Sequence, residues 1–424
     1  MPARHTRVLI ARNTMLRTDD LNYPLPDDLI ATAPAEPRDS ARLLVVSRTD
    51  ESVLEHCFVR DLPEILRPPG RRSTMPPDLM VVNATRVLPA RFKGERPDSK
   101  GHVEGLYVQP AIVAPDHPEH GKGPLWIVLL KMRRMKPGVR VTLFDRHGRD
   151  SGISLRLIER ADEAGSWVVA VESSTLRLTP GMTASDLLEW VGLTPVPPYI
   201  LAARRKGHIN IADETDRKHY QTVYATERGE RPGYGSVAAP TAGLHFTPGL
   251  LDRLRDAGVR RAEVTLDVGL GTFKPIETEF IQQHPMHAEW CSIPVQTAMQ
   301  IASARAHTSA PSALRPRIIA VGTTAARALE SFESPEEMQK VGSKQTRLLI
   351  APGHRWKHVD VLVTNFHLPK STLLAMVSAL FHQGASDDET AQHAAIERLK
   401  SIYAVAVRER YRFYSYGDAM VVLP

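Results

Sequence analysis

Cysteine is scarce in this chain, which has 424 residues and only two thiols, those of Cys57 and Cys291. Two cysteines cannot build a disulfide framework, and they cannot form the four-cysteine site of a structural zinc ion. Free thiols are typical of a reducing compartment. The sequence therefore excludes a small disulfide-stapled fold.

Long apolar runs are also missing. No stretch approaches the ~18 uninterrupted apolar residues of a membrane-spanning helix, so we expect no membrane span. Hydrophobic residues make up 42% and charged residues 24% of the chain, as in an ordinary globular protein. A chain of this length buries a full core and favours two or three domains.

The first 18 positions contain no acidic residue, and the first acidic residue of the chain is Asp19. The same stretch carries four arginines, namely Arg4, Arg7, Arg12 and Arg17. This bias predicts a disordered basic extension over residues 1–20, with an organellar transit peptide as the alternative. The net charge of +6 and the isoelectric point near 9.3 are compatible with a polyanionic partner such as nucleic acid.

Short strand-like runs separated by Gly/Pro turns follow one another from residue 78 to about residue 172. They cover residues 79–82, 103–108, 126–130, 139–144, 153–158 and 167–171. Many short strands with almost no helix indicate a small barrel or sandwich. The flanking segments alternate strands and helices, which predicts an α/β layer. We expect a main α/β domain of residues 21–77 and 180–424, interrupted by a β domain of residues 78–179.

The stretch GSVAAPTAGLHFT, residues 235–247, contains no charged side chain and many small residues. Glycine lets backbone approach a ligand closely, which makes Gly243 a candidate binding position. Thr241 contributes a hydroxyl and His245 a titratable ring. The composition suits either a floor for a flat ligand or a tightly packed core loop.

Two segments pass from a strand into a helix with polar residues at the junction. In the first, residues 318–324, Thr323 or Thr324 would be the N-cap of a helix whose free N–H groups could bind a carboxylate or phosphate. Plain capping is the alternative. The second, residues 363–372, clusters four candidates for cofactor or phosphate binding, again with capping as the alternative. These are Asn365, His367, Lys370 and Ser371.

A third candidate segment begins with Asp267 at the end of a strand and continues through Gly269 and Gly271. The glycines could let backbone pass near a ligand, although a hairpin or bulge is the commoner cause. Further along, His287 and Glu289 follow His284 at a spacing that a zinc site could use. With no second pair of histidines alongside, we favour an acid–base or hydrogen-bonding role for His287 and Glu289.

Two arginines are candidates for contacts with RNA. Arg86 lies near the expected domain junction and could grip a phosphate or carboxylate, or be a solvated charge. Arg412 lies among the aromatic residues of segment 411–418, an arrangement that RNA-binding proteins use for base stacking. The alternative for that segment is a C-terminal strand that packs its aromatic rings into the core.

Taken together, these segments resemble the S-adenosylmethionine:tRNA ribosyltransferase-isomerase family of queuosine biosynthesis. The strings that carry the resemblance lie in family order from about residue 23 to residue 420. They are LPDDLIA, RDSARLLVV, DLPEIL, NATRVLPAR, PVPPYI, YQTVYA, SVAAPTAGLHFT, VGLGTF, MHAE, VGTT, TNFHLPKSTLL and YRFYSYGDAM.

The resemblance implies an α/β domain with an inserted closed β-barrel domain, in a cytoplasmic enzyme that we expect to be a monomer. Its substrates would be S-adenosylmethionine and a tRNA carrying 7-aminomethyl-7-deazaguanine at the wobble position. The ribosyl part of S-adenosylmethionine would be transferred and isomerised onto that base, giving epoxyqueuosine, adenine and methionine. No metal is implied.

The resemblance also assigns expected roles to the matched residues. Acid–base function is expected from His245, His287, Glu289 and Asp267. Cofactor binding is expected from Thr241, Gly243, Gly269, Gly271, Thr323, Thr324, Asn365 and His367. Contacts with RNA or phosphate are expected from Arg86, Lys370, Ser371 and Arg412.

Two positions depart from the family pattern. Asp267 stands where the family usually has histidine, and Ala84 stands where it usually has aspartate. A carboxylate can accept a proton, but near neutral pH it is no cationic donor without a large pKa shift. The alternative hypothesis is therefore a diverged homologue that binds tRNA or a nucleotide, with lost or altered catalysis.

Overall fold

The computed structural model describes residues 15–114, 116–161, 165–174, 182–226, 235–269, 275–306 and 315–424. The strands are β1 Arg42–Ser47, β2 Leu54–Phe58, β3 Asp78–Asn83, β4 Arg91–Glu95, β5 His102–Pro110, β6 Leu125–Lys131, β7 Arg140–Phe144, β8 Asp150–Arg160, β9 Ser166–Ser173, β10 Val259–Asp267, β11 Glu289–Ser292, β12 Ile318–Val321, β13 Ser343–Thr346, β14 Val361–Asn365 and β15 Ala419–Leu423. The helices are α1 Leu62–Leu66, α2 Pro69–Thr74, α3 Ala184–Val191, α4 Pro198–Lys206, α5 Asp213–His219, α6 Pro248–Asp256, α7 Val295–Arg305, α8 Thr323–Glu330, α9 Pro335–Val341, α10 Thr372–Ser378 and α11 Glu389–Arg408. Most of the expected basic extension, residues 1–14, lies outside the described residues.

Nine strands form the larger sheet, in the order β13-β11-β10-β3-β12-β14-β15-β1-β2. Its centre is parallel, because β10, β3, β12 and β14 all pair in the same direction. Every residue of β3, β12 and β14 is buried, as expected where both faces of a parallel sheet are covered. The carboxyl ends of these four strands consequently lie along one edge.

Six antiparallel strands form the smaller sheet, in the order β4-β5-β6-β9-β8-β7. The sheet closes on itself because β7 also pairs with β4, with Gly94 opposite Leu143. A Cβ atom on Gly94 would lie 2.3 Å from the carbonyl oxygen of Thr142. Glycine at this position therefore permits the close approach that closes the sheet.

The prediction of a mixed α/β protein is confirmed, but one strand changes sheets. The run at residues 79–82 was expected in the β domain, whereas β3 is a central strand of the larger sheet. The first strand of the smaller sheet is β4, whose sequence RFKGE lacks β-branched residues and was missed for that reason. Residues 67–77, which are rich in proline and arginine, contain the short helix α2, which begins with proline at its first position.

Several helix ends follow the sequence signals closely. Thr183 caps α3, where its side chain accepts a hydrogen bond from the Asp186 N–H and the Asp186 carboxylate binds the Thr183 N–H in return. The helix α6 is capped by Thr247, and the chain then turns at Gly258 with φ 89°. Among the residues that the structure describes, no helix is long and apolar enough to cross a bilayer.

Candidate functional site

The candidate site lies at the carboxyl edge of the parallel strands in the larger sheet. Asp267 ends β10, Gly322 follows β12, and Asn365 ends β14. Because open α/β sheets bind ligands at this edge, the three candidate segments converge where a ligand is expected. The topology thus unites segments that lie far apart in the sequence.

The uncharged stretch of residues 235–247 crosses this edge and is hydrogen-bonded to it. The Ser236 hydroxyl accepts the Val268 N–H at 3.1 Å and donates to the Ala238 carbonyl at 2.5 Å. Further along, Thr241–His245 forms a short 3-10 helix. The backbone of this stretch therefore covers the ends of the strands, as a ligand floor would.

A cavity opens between this stretch and the ends of the strands, with about 350 Å³ of space free of protein atoms, open solvent included. It is lined by Ala239, Thr241, Ala242, Val268, Gly322, Thr323, Thr324, Thr364, Asn365, His367 and Leu373. Two buried polar atoms on its wall, Thr324 Oγ1 and Asn365 Oδ1, have no hydrogen-bond partner within the described residues. Buried polar atoms normally have a partner, so these two indicate a polar ligand.

The start of α8 faces the same cavity. Thr323 and Thr324 are its first two residues, and the expectation that one of them is the N-cap is wrong, because Gly322 occupies that position with φ 88°. No described side chain caps this end of α8. The free N–H groups and partial positive charge of the first turn suit a carboxylate or phosphate.

His245 lies behind the cavity wall rather than on it. The ring is buried, and its Nε2 accepts a hydrogen bond from Asn365 Nδ2 at 3.2 Å. Burial lowers the pKa of His245 to about 3, helped by the positive charges of Arg412 and Arg38. The ring is therefore neutral near pH 7, and its contact orients Asn365.

His367 lies on the cavity wall and is also buried. Burial lowers its pKa to about 3. Its Nε2 lies 2.7 Å from the Thr364 hydroxyl, and its backbone N–H donates to the Tyr403 hydroxyl at 3.0 Å. These contacts fix a neutral ring that can exchange hydrogen bonds with a ligand.

Glu289 is held in a buried ion pair. Its Oε2 lies 2.5 Å from Nη1 of Arg327, and the exposed fractions of the two side chains are 4% and 5%. Its Oε1 accepts the Gly269 N–H at 3.3 Å. Glu289 therefore anchors the chain that follows β10, which agrees with the hydrogen-bonding alternative, and its acid–base role stays a prediction. Gly271 falls outside the described residues.

Asp267 lies at the edge of the site, one residue before Val268 on the cavity wall. Its Oδ1 accepts a hydrogen bond from the Thr85 hydroxyl at 3.0 Å. Thr85 directly follows Ala84, the second position that departs from the family pattern. The two departures are thus close in space, and the structure places a carboxylate between the ends of β10 and β3.

Gly243 does not contact the cavity. A Cβ atom at this position would lie 2.0 Å from the Tyr224 hydroxyl and 2.9 Å from Cγ2 of Thr222. Packing against these side chains, rather than the approach of a cofactor, explains the glycine. Thr241, by contrast, lies on the cavity wall as expected.

The capping alternative is correct for Ser371. Its hydroxyl accepts the Leu374 N–H at 3.2 Å and donates to the Leu368 carbonyl at 2.7 Å, at the start of α10. Lys370 points to the N-terminal segment, where its Nζ lies 2.7 Å from Asp19 Oδ1. Neither side chain is on the cavity wall.

The aromatic residues that precede the last strand pack into the core, which was the alternative to base stacking. Tyr411, Phe413 and Tyr416 are at most 1% exposed, so their faces are not available for stacking. Arg412 between them is held by the Asp418 carboxylate at 3.2 Å. The aromatic rings of this segment pack the last strand against the core and are not exposed for stacking with RNA bases.

Arg86 lies at the junction between the two sheets. Its Nη2 lies 3.0 Å from Oε1 of Glu189, and the other oxygen of that carboxylate pairs with Arg217 at 2.8 Å. Arg86, Glu189 and Arg217 line a second cavity of about 360 Å³. Two arginines share one carboxylate here, and Arg217 also pairs with Asp213 at 2.9 Å, so the charges at the junction are paired.

The zinc alternative finds no support among the described residues, in which no group of three His, Cys, Asp or Glu side chains could hold a metal ion. His287 is partly buried and lies two residues before Glu289, away from the cavity wall. Burial and the neighbouring His287 lower the pKa of His284.

Some residues of the site were not predicted. Thr364, Val268 and Leu373 line the cavity, and Arg327 holds Glu289 from α8. Thr364 could have been found from its place at the end of a parallel strand. No sequence signal distinguishes Arg327 from a solvated arginine, because its partner lies 38 residues away in the chain.

Comparisons with known proteins identify the family of this chain. A family model described as queuosine biosynthesis protein matches residues 18–422. The S-adenosylmethionine:tRNA ribosyltransferase-isomerase of Gloeobacter violaceus is 41% identical over 409 residues, which cover 96% of each chain. The protein of that name from Geobacter metallireducens is 40% identical, covering 96% of this chain and 100% of that one.

A crystal structure of S-adenosylmethionine tRNA ribosyltransferase from Thermotoga maritima is 27% identical, with a TM-score of 0.43. It covers 95% of this chain and 100% of its own. The family model and the curated relatives match nearly the full length, including every segment that forms the cavity wall. The chain therefore belongs to the queuosine biosynthesis protein family.

Proposed function

We propose that this protein transfers and isomerises the ribosyl part of S-adenosylmethionine onto 7-aminomethyl-7-deazaguanine at the tRNA wobble position. The products would be epoxyqueuosine in the tRNA, adenine and methionine. One observation carries the proposal, namely the cavity at the carboxyl edge, which combines an uncapped helix start with two buried polar atoms that lack a hydrogen-bond partner among the described residues. Relatives with the corresponding name support the choice of substrates.

The methionine carboxylate of S-adenosylmethionine would bind at the start of α8. The free N–H groups of this turn favour an anion, and the Thr324 hydroxyl beside them would donate one more hydrogen bond. On the opposite wall, Asn365 Oδ1 would accept a hydrogen bond from the cofactor. The contact between His245 and Asn365 holds that amide in place.

The residues near the cavity also meet the demand for a base. A base must remove a proton beside the sulfonium before the ribosyl group can be transferred. We assign this role to Asp267, whose carboxylate would also attract the sulfonium charge. His245 and His367 stay neutral because their pKa values are near 3, so they would act through hydrogen bonds. His287 is kept as a candidate proton donor that tRNA binding would have to bring closer.

The tRNA would contact the junction between the sheets, where Arg86 is half exposed beside the second cavity. We regard the closed smaller sheet as an inserted barrel domain that contributes to this surface. A monomeric state and a cytoplasmic location belong to the same proposal.

Adenine release tests this function directly. The protein is incubated with S-adenosylmethionine and precursor-bearing tRNA, and adenine is quantified by chromatography. We expect adenine to be released only when precursor-bearing tRNA is present, and not with fully modified tRNA. A protein that binds tRNA but releases no adenine would instead be the diverged binding homologue.

Variants of Asp267 test the assigned base. Asp267→Asn keeps the shape and removes the charge, so kcat should fall by about 10²- to 10⁴-fold. Asp267→His restores the usual family residue and separates the two hypotheses, because a gain of activity in an inactive protein would identify this position as the cause. Unchanged kcat in Asp267→Asn would remove Asp267 from the mechanism.

A further inference from the structure

The loop that joins β6 to β7 presents an unusual density of positive charge. The segment KMRRMKPGVR, residues 131–140, contains five cations, and no acidic residue occurs before Asp145. Met132 and Met135 are partly buried and pack against the core of the smaller sheet. Because these methionines anchor the loop, the cations between and beside them are held at the surface.

The loop forms one wall of a groove at the end of the smaller sheet. The groove contains about 1290 Å³ of space, open solvent included, against about 350 Å³ for the cavity of the candidate site. The opposite wall is the turn between β4 and β5. The lining residues are Arg96, Pro97, Asp98, Arg134, Lys136, Pro137, Gly138, Val139 and Arg140.

The charges of the groove are only partly balanced. Asp98 pairs with Arg96 at 2.5 Å, and Glu172 pairs with Arg140 at 3.1 Å. Arg134 and Lys136 are exposed, and no carboxylate of the described residues lies within 4 Å of either. Four cationic side chains line the groove, the carboxylates of Asp98 and Glu172 balance two of them, and the other two are available for a partner.

We propose that this groove binds the sugar-phosphate backbone of the tRNA, at a distance from the reacting base. The inference rests on the proposed function, which supplies a tRNA as substrate. Unpaired Lys and Arg side chains bind phosphates and fix the position of a nucleic acid without reading its sequence. The groove would thus act as a second anchor for the substrate.

The place of the groove in the fold fits this role. The strand β4 begins at Arg91, which bridges to Leu193 near the junction, and ends at Glu95, just before Arg96 in the groove. Four residue steps along a strand span roughly 13 Å. An elongated polyanion that enters the junction can therefore reach the groove along the side of the smaller sheet, whereas a compact anion cannot occupy both.

Steady-state kinetics of the double variant Arg134→Gln/Lys136→Gln test the proposal. We expect the KM for tRNA to rise roughly tenfold at low salt, because two phosphate contacts are lost. The KM for S-adenosylmethionine and kcat should stay unchanged. The slope of log affinity against log salt concentration, measured by filter binding, should fall by about one for each lost contact.

The double variant Lys340→Gln/Arg347→Gln is the matched control, since it removes two exposed cations that flank the edge strand β13 of the larger sheet and that lack a carboxylate partner among the described residues. It should leave the KM for tRNA unchanged. An equal rise in the KM for tRNA in the control, or no rise in the groove variant, would overturn the proposal.

Loss of binding to phosphatidylserine vesicles with unchanged tRNA affinity would assign the groove to a membrane surface instead. Absent adenine release in the unsubstituted protein would contradict the proposed function and not the groove.

Discussion

At the scale of single residues, the Thr324 hydroxyl is the sharpest test of the cofactor site. It is buried at the start of α8 without a partner among the described residues, so the fold gains no hydrogen bond from it. Thr324→Val should therefore change the free energy of unfolding by less than about 1 kcal/mol. Loss of a hydrogen bond to a carboxylate, worth about 1.5–3 kcal/mol, should raise the KM for S-adenosylmethionine roughly 10- to 150-fold.

Thr297→Val provides the matched control, because the buried Thr297 hydroxyl donates to the Glu263 carbonyl at 2.8 Å. This change should lower the free energy of unfolding by about 1 kcal/mol and leave the KM for S-adenosylmethionine unchanged. Enzyme kinetics and urea unfolding measure both quantities. If Thr324→Val behaved like the control, the hydroxyl would have no ligand.

The two buried histidines predict an acid-labile fold. His245 and His367 have pKa values of about 3 in the folded protein, against an ordinary value of 6.5. Between these values the unfolded chain binds more protons, so the free energy of unfolding falls as the pH falls from about 6.5 towards 3. Between pH 7.5 and 5.0 each ring should contribute a loss of about 2 kcal/mol.

Urea unfolding of His245→Gln and His367→Gln at both pH values measures this contribution. Each variant should lose about 2 kcal/mol less than the unsubstituted protein over that pH interval. His147→Gln, which changes an exposed ring, serves as the control and should reproduce the original pH dependence. Identical losses in all four proteins would mean that neither buried ring determines the acid sensitivity.

The sequence identified the site better than it identified the roles within it. Thr323, Thr324, Asn365 and His367 all reached the cavity, because each follows a strand of the parallel sheet. Ser371 did not, because the same hydroxyl can cap a helix or bind a ligand and only the three-dimensional arrangement decides between them. Protonation depends on burial by distant segments, which the local sequence does not contain.

At the scale of elements, closure of the smaller sheet depends on Gly94. A Cβ atom there would meet the Thr142 backbone oxygen, which cannot move without displacing β7. Gly94→Ala should therefore lower the free energy of unfolding by about 1–3 kcal/mol. Gly70→Ala in α2 is the control, since nothing lies within 4 Å of its Cβ position, and it should be neutral or stabilising by up to about 1 kcal/mol. Equal effects in chemical unfolding would contradict the steric account.

The same strand explains what the sequence could not predict about the elements. The strand-to-helix junction of residues 318–324 was predicted closely, and β12 and α8 meet there, because its signals are local. The sequence of β4 contains lysine, glycine and glutamate and gives no local signal of a strand. Its pairing with β5 and β7 stabilises it instead. Membership of a sheet is likewise a tertiary property, which is why β3 was placed with its neighbours in sequence.

At the scale of the whole molecule, the net charge of +6 is distributed over separate surfaces. One arginine site lies at the junction, where the half-exposed Arg86 pairs with Glu189, and the other is the groove around Arg134 and Lys136. The strand β4 separates them, and among the residues that the structure describes no ion pair connects the two sets of side chains. Two distant anchors on one rigid polyanion should contribute independently to its affinity.

Combining Arg86→Gln with Arg134→Gln/Lys136→Gln tests this independence. Each change alone should weaken tRNA binding, and the free-energy losses of the combined variant should add within about 0.5 kcal/mol. Arg410→Gln, which breaks an exposed pair with Asp28, is the control and should leave the affinity unchanged. Filter binding over a range of salt concentrations measures the tRNA affinity of the four variants and of the unsubstituted protein. A combined loss no larger than that of Arg86→Gln alone would mean that the tRNA contacts only the junction, and the groove would then lie outside the bound substrate.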